Sequence, residues 1–196
     1  RLTYSESQLS RLAEVARAHE MVVLSDEIYG PLHHGGAHIS LARFYPEGTL
    51  VSGGLSKWCG AGGWRLGTLL FPPPLAHLRK AAAVMASETF TSVCAPVQYA
   101  AVTAFEENSE IQDYLGHARR ILKCLGGWCA QSLNEAGIRV HAPEGGFYLL
   151  MDFSGHADRL REAGVGNGKE LCEKMHMQWF KEMLCRYGKR KKISKY

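Results

Sequence analysis

The sequence has no CxxC pair, no closely spaced cysteine framework and no long apolar run. Its six cysteines, at 59, 94, 124, 129, 172 and 185, are scattered, which excludes a disulfide-stapled secreted scaffold and fits reduced thiols in a cytoplasmic compartment. The apolar stretch "LGTLLFPPPL" is halted by three prolines, so no segment reaches bilayer-spanning length and no membrane partner is expected. Charge imbalance is also small. The formal +4 comes largely from the closing "GKRKKISKY", leaving a nearly balanced body that argues against a surface for coating nucleic acid. Internal repeats are absent, and that tail is the one compositionally biased segment.

What is present is enough apolar material, 46% of 196 residues, for one sizeable domain or one domain with part of another. The chain opens on Arg1 and heads at once into a helix start, so an upstream part, with any targeting signal, is expected to be missing. Thr3 with Glu6, or Ser5 with Gln8, offers a capping box, and Leu9, Leu12, Ala13 and Ala16 recur at helical spacing up to an end near His19. "MVVLS" (21–25), "TLVSGG" (49–54) and "RLGTLLF" (65–71) read as three strands, the first two buried. Beyond the prolines, "LAHLRKAAAVMASE" and "APVQYAAVTAFEE" read as helices, and a long helix from Ile111 carries a seam of Leu115, Ala118, Leu122, Leu125 and Cys129. "IRVHA" and "FYLLMDF" read as neighbouring antiparallel strands around the turn "PEGG", followed by a helix from Lys169 to about Tyr187. Helix, strand, loop and strands in this order predict an α/β sheet.

The chemistry gathers around "SGGLSKWCGAGGWRLG" (52–67), where Lys57 stands among six glycines and Arg65 follows eight residues later. Glycine weakens strands and adds nothing to a core, so this density points to close approach of backbone to a ligand. Ligands of open α/β sheets gather beyond the carboxyl ends of strands, the zone that Asp26, Tyr29 and Lys57 share. Arg65 reaches it only if the third strand runs antiparallel. A lysine amine forms Schiff bases with carbonyls, a guanidinium suits phosphate, and a carboxylate keeps a ring nitrogen protonated. Pyridoxal 5'-phosphate has a partner for each of these groups and a ring hydroxyl for the phenol.

Together, "VVLSDEIYG" and "GGLSKWCGAGGWRLG" closely resemble the fold-type I, class I and II pyridoxal-phosphate aminotransferases, in the D-x-x-Y spacing and in the lysine-to-arginine interval. The resemblance runs on through "TSVCAPVQYAA" and the long helix to "LNEAGIRVHAPEGGFYLLMDF", about residues 1 to 172. It implies an α/β, PLP-transferase-like large domain with a mixed, mostly parallel sheet, plus an incomplete α+β small domain. The expected division is 1–125 for part of the large domain, including the start of the interdomain helix, and 126–196 for the small domain with its divergent basic tail. The resemblance also implies transfer of an amino group between an amino acid and a 2-oxo acid, with Lys57 as Schiff-base lysine and proton carrier. Asp26 is then the partner of the pyridine nitrogen, Tyr29 of the ring hydroxyl and Arg65 of the phosphate. Ser56 is implied as a further phosphate contact, although many relatives carry their hydroxyl three residues before the lysine, where this chain departs from the pattern with Gly54. Trp64 and its glycine neighbours shape the turn.

A lone lysine after a strand is ordinarily a solvated residue, and Asp26 alone reads as a strand-end cap; their joint spacing with Tyr29 and Arg65 carries the resemblance. His33, His34 and His38 lie in a Gly-rich loop without ligands at metal-binding spacing, so no metal is expected. Cys124 and Cys129 read as core thiols, and "KRKK" (189–192) as a solvated tail. Relatives of this family run about twice this length and form homodimers whose sites are completed by both subunits. After Met175 the sequence departs from the family pattern, and neither Arg186 nor Arg190 takes a substrate-carboxylate role. Two further readings stand beside transamination: a PLP-dependent lyase or synthase of the same fold, and a noncatalytic truncated remnant.

Overall fold

The structure, a computed structural model, describes residues 3–35, 37–106 and 108–191, with side chains through residue 179. Residues 192–196 and the side chains from residue 180 onward, those of Arg186, Arg190 and the KRKK run among them, lie outside the described residues. Helix α1 (Glu6–Ala18) starts at the second of the two caps open to it. The Ser5 hydroxyl accepts from the Gln8 amide at 3.3 Å, and the Gln8 side chain accepts from the Ser5 amide at 2.8 Å. Thr3 is engaged elsewhere, its amide and hydroxyl both donating to Glu144 Oε2 at 2.7 and 2.8 Å. Leu9, Ala13 and Ala16 form the buried stripe of α1 and pack on Leu41 and Tyr45, whereas Leu12 falls outside the stripe and is exposed.

The first strands are β1 (Val23–Asp26), β2 (Thr49–Gly54) and β3 (Gly67–Leu70), in the order β1-β2-β3. β1 and β2 are parallel, with Asp26 opposite Ser52. β2 and β3 are antiparallel, with Gly54 opposite Gly67, as the position of Arg65 requires. Gly54 has φ +146°, and a Cβ there would lie 2.6 Å from the Leu66 carbonyl oxygen, so the strand end closes only with glycine. The expectation of a buried first strand needs correction: Leu24 is 63% exposed. β1 is an edge strand in this sheet, and with a period of two Val23 and Ser25 turn inward while Leu24 and Asp26 turn out. Apolar content alone could not show which face is covered.

Helices α2 (Ala76–Thr89), α3 (Ala95–Phe105) and α4 (Ser109–Glu135) follow. α2 buries none of its residues and stands on propensity, whereas α3 and α4 supply Val97, Ala101 and Leu115 to a cluster with Leu32, Leu55, Trp58 and Leu66. The Asn108 side chain opens α4 by accepting from the Glu110 amide at 2.8 Å. The predicted seam is buried at Leu115 and packed at Ala118 and Leu122, but Leu125 is 54% exposed. One position on, Gly126 faces Pro143, where a Cβ would lie 2.5 Å from the proline ring, so contact there is made through glycine and not through the seam.

The expected long strands around "PEGG" also need correction, because extended structure is limited to β4 (Arg139–Val140) and β5 (Met151–Asp152). The intervening backbone bonds elsewhere. Glu144 O accepts from the His34 amide at 2.8 Å, and the Gly146 amide donates to Leu32 O at 3.0 Å, around an antiparallel bridge between His33 and Gly145.

The chain divides into two compact units, the first ending at Asn134 and taking up Val140–Leu150, the second holding Glu135–Arg139 and the residues from Met151. In the second, Arg139 pairs with Asp152 at 2.7 Å, and α5 (Ala157–Glu162) precedes α6 (Gly168–Lys191). Asn167 and Glu170 cap α6 reciprocally: Asn167 Oδ1 accepts from the Glu170 amide at 3.0 Å, and Glu170 accepts from the Gly166 amide at 2.7 Å. Among the described residues, no helix is long and apolar enough to cross a membrane.

Candidate active site

Residues at the carboxyl end of β1 are positioned by the parallel ladder and the turn that leaves it. The Glu27 amide donates to Ser52 O at 2.9 Å, which extends the pairing by one residue, and the Gly30 amide donates back to Glu27 O at 2.8 Å, which turns the chain and presents Tyr29. Asp26 is exposed, and its Oδ1 accepts from the Ser52 hydroxyl at 3.1 Å, so the neighbouring strand holds the carboxylate. Glu27 is half-buried. Burial pushes its carboxyl up, but hydrogen bonds from His38 (2.8 Å), Ser40 (2.6 Å) and Ser25 (2.9 Å) outweigh that and hold it below the ordinary carboxylate value.

Lys57 is carried by the loop after β2, between buried Leu55 and buried Trp58. The Trp58 indole meets Phe105 edge to face at 5.9 Å between centroids, anchoring the loop from below, while Lys57 itself is exposed with Nζ 5.9 Å from the centre of the Tyr29 ring. Lys57 and Tyr29 are thus brought together. Ser56 is half-buried beside them in the chain. Arg65 has φ +58° and ψ +44°, a left-handed conformation, and its Nη1 donates to Gly62 O at 2.8 Å, so the guanidinium is bonded within its own turn. The β2–β3 register sets Arg65 two residues before the Gly54–Gly67 pair, at the same end of the sheet as Lys57 and Asp26. A cavity of about 990 Å³ lies against β1 with Asp26, Glu27 and Tyr29 in its wall; Lys57 and Arg65 are not among its lining residues.

The histidines of the 33–38 loop are used for structure. His38 bonds Glu27, His34 Nδ1 meets Pro143 O at 3.0 Å, and His33 Nδ1 accepts from the Gly35 amide at 3.2 Å. Sequence reasoning missed two supports of the site. One is Ser52, whose signal was the strand register. The other is the run Gly146–Phe147–Tyr148: both rings stand edge-on to Tyr29, at 5.5 and 5.6 Å, and the Tyr29 hydroxyl donates to that of Tyr148 at 3.1 Å. A Gly-Gly pair directly before two aromatics was the available signal.

An amine, a carboxylate, a phenol and a guanidinium stand at one end of a mixed sheet, the strand-end zone where α/β proteins bind their ligands. Comparison with known proteins gives the family. Aminotransferase class I and II matches over residues 2–186, and the chain belongs to that family. It is 32% identical over 171 residues to the probable aspartate/prephenate aminotransferase of Thermus aquaticus, covering 84% of this chain and 44% of that protein. Against the Bacillus subtilis aspartate aminotransferase it is 32% identical over 151 residues, 75% of this chain and 37% of the relative. A solved Thermus thermophilus aspartate aminotransferase double mutant superimposes with a TM-score of 0.73 at 31% identity, covering 87% of this chain and 46% of that one. The fold is therefore that of the pyridoxal-phosphate transferases, and the chain spans less than half the length of these relatives.

Proposed function

We propose that this chain is the cofactor-holding part of an aminotransferase that moves an amino group between an amino acid and a 2-oxo acid. The observation that carries the proposal is the sheet topology: a parallel β1–β2 pair and an antiparallel β3 bring Asp26, Tyr29, Lys57 and Arg65 to one end. The donor set fits pyridoxal 5'-phosphate. Lys57 would hold it through a Schiff base to its aldehyde, Asp26 at the pyridine nitrogen, Tyr29 at the ring hydroxyl, and Arg65 with Ser56 at the phosphate. When bound, the group supplies an electron sink for negative charge at the substrate's α-carbon.

The remaining work belongs to the protein. Lys57 Nζ, beside the Tyr29 ring and freed when the substrate amine displaces it, would take the α-proton as a base and deliver it to the carbon that had carried the aldehyde. Asp26, steadied by Ser52, would keep a proton on the ring nitrogen. Arg65 would exchange its bond to Gly62 O for the phosphate. Residues 1–125 then belong to the large domain and 126–196 to a partial small domain of a cytoplasmic homodimer. The test is reduction with borohydride after incubation with excess pyridoxal 5'-phosphate, followed by peptide mapping. A label on Lys57 supports the proposal; a label on another lysine, or on none, overturns it.

A further inference from the structure

Tyr29 is clasped by a segment far away in the chain. The Phe147 and Tyr148 rings stand nearly perpendicular to it, at interplanar angles of 77° and 79°, and pack against each other at 4.9 Å. Gly146 has φ +63°, and a Cβ there would approach the Tyr29 ring to 3.3 Å, so the clasp closes over a glycine. The segment is held by the Gly146 amide on Leu32 O, by the His33–Gly145 bridge and by Thr3 on Glu144. The titratable groups facing Tyr29 in these contacts are Lys57, from the loop after β2, and Tyr148. Asp26 and Glu27, just before Tyr29 in the chain, are bonded to Ser52 and to His38, Ser40 and Ser25 respectively.

We infer that Tyr148 is a positioning residue for Tyr29, the outer member of a two-phenol relay that sets which way the Tyr29 hydroxyl donates. The inference rests on the proposed role of Tyr29 at the cofactor's ring hydroxyl. A phenol has one proton to donate and lone pairs to accept with. Here Tyr29 donates to Tyr148. Turned toward an anionic ring oxygen, Tyr29 must donate to it, and Tyr148 then donates to Tyr29. The second bond strengthens the first, because a phenol that accepts a hydrogen bond donates more strongly. The relay moves hydroxyl protons between acceptors and breaks no covalent bond.

The test is Tyr148→Phe, which keeps the ring contact and removes the hydroxyl; Tyr148 is half exposed, so the variant is expected to fold, with thermal unfolding as the check. In the unloaded chain labelled with 3-fluorotyrosine, the Tyr29 fluorine resonance, assigned with Tyr29→Phe, should move by more than its linewidth in Tyr148→Phe. It should stay in place in Tyr99→Phe, whose ring is 79% exposed. In the loaded protein the pH midpoint of cofactor absorbance should rise by about half a pH unit in Tyr148→Phe, the size expected for one neutral hydrogen bond, and in the direction of Tyr29→Phe. Borohydride label on Lys57 with an unmoved resonance or an unmoved midpoint overturns the relay and leaves the cofactor reading standing. Label elsewhere, or none, overturns that reading and with it the relay's function. If Tyr148→Phe fails to fold, Tyr148→Trp must restore the fold without restoring the midpoint, and restoration of both overturns the relay.

Discussion

The loop of Lys57 and helix α6 treat their apolar residues in opposite ways. Around Lys57, buried Leu55, Trp58 and Leu66 alternate with exposed Lys57 and Arg65, so the reactive side chains are pinned by packed neighbours. Along α6, Met175, Met177 and Trp179 are 50%, 54% and 60% exposed, and the helix is set by its Asn167–Glu170 cap and by propensity. Packing fixes the loop around Lys57, whereas the cap sets only where α6 begins.

Tryptophan truncation breaks the comparison most sharply. Trp58→Ala should cost about 3–5 kcal/mol in urea unfolding, and Trp179→Ala should stay within about 0.5 kcal/mol. Equal effects would show that α6 is packed as tightly as the loop. Gly54→Ala should come next, at about 2 kcal/mol or more, because its Cβ would meet the Leu66 carbonyl oxygen at a φ that L-residues rarely adopt. Asn167→Ala should cost α6 about 1 kcal/mol of helix stability, visible in far-UV circular dichroism and absent from the unfolding of the first unit.

The smallest effect is electrostatic. The lowered Glu27 carboxyl contributes stability that is complete above its ordinary value of 4.5 and is lost as pH falls through the lowered one. Glu27→Gln should therefore flatten the stability profile below that pH without changing its shape near neutrality. A profile as steep as that of the parent chain would show that other carboxylates carry the acid transition.

Much of this was legible. The three strands and the long α4 follow from pattern within a few residues, the α1 cap was one of two on offer, the antiparallel course of β3 was the condition for Arg65 to reach the site, and Asp26, Tyr29, Lys57 and Arg65 stood out by type and interval. Leu24 and Leu125 did not, since an apolar residue reports a preference for burial and not whether a neighbour arrives to cover it. Phe147 and Tyr148 read as strand residues because their alternation suits a strand, yet the backbone ahead of them pairs with the 32–34 loop.

By itself the sequence determined the longer helices, the ends of the first three strands within a few residues and the set of reactive side chains, because caps, proline stops and periodicity act over one or two turns of chain. The tertiary structure alone decided which faces are covered, which hydroxyl steadies Asp26 and that Tyr29 is gripped by a tyrosine 119 residues away. Such contacts form only after loop closure, and their energy depends on the shape of whatever else has packed there.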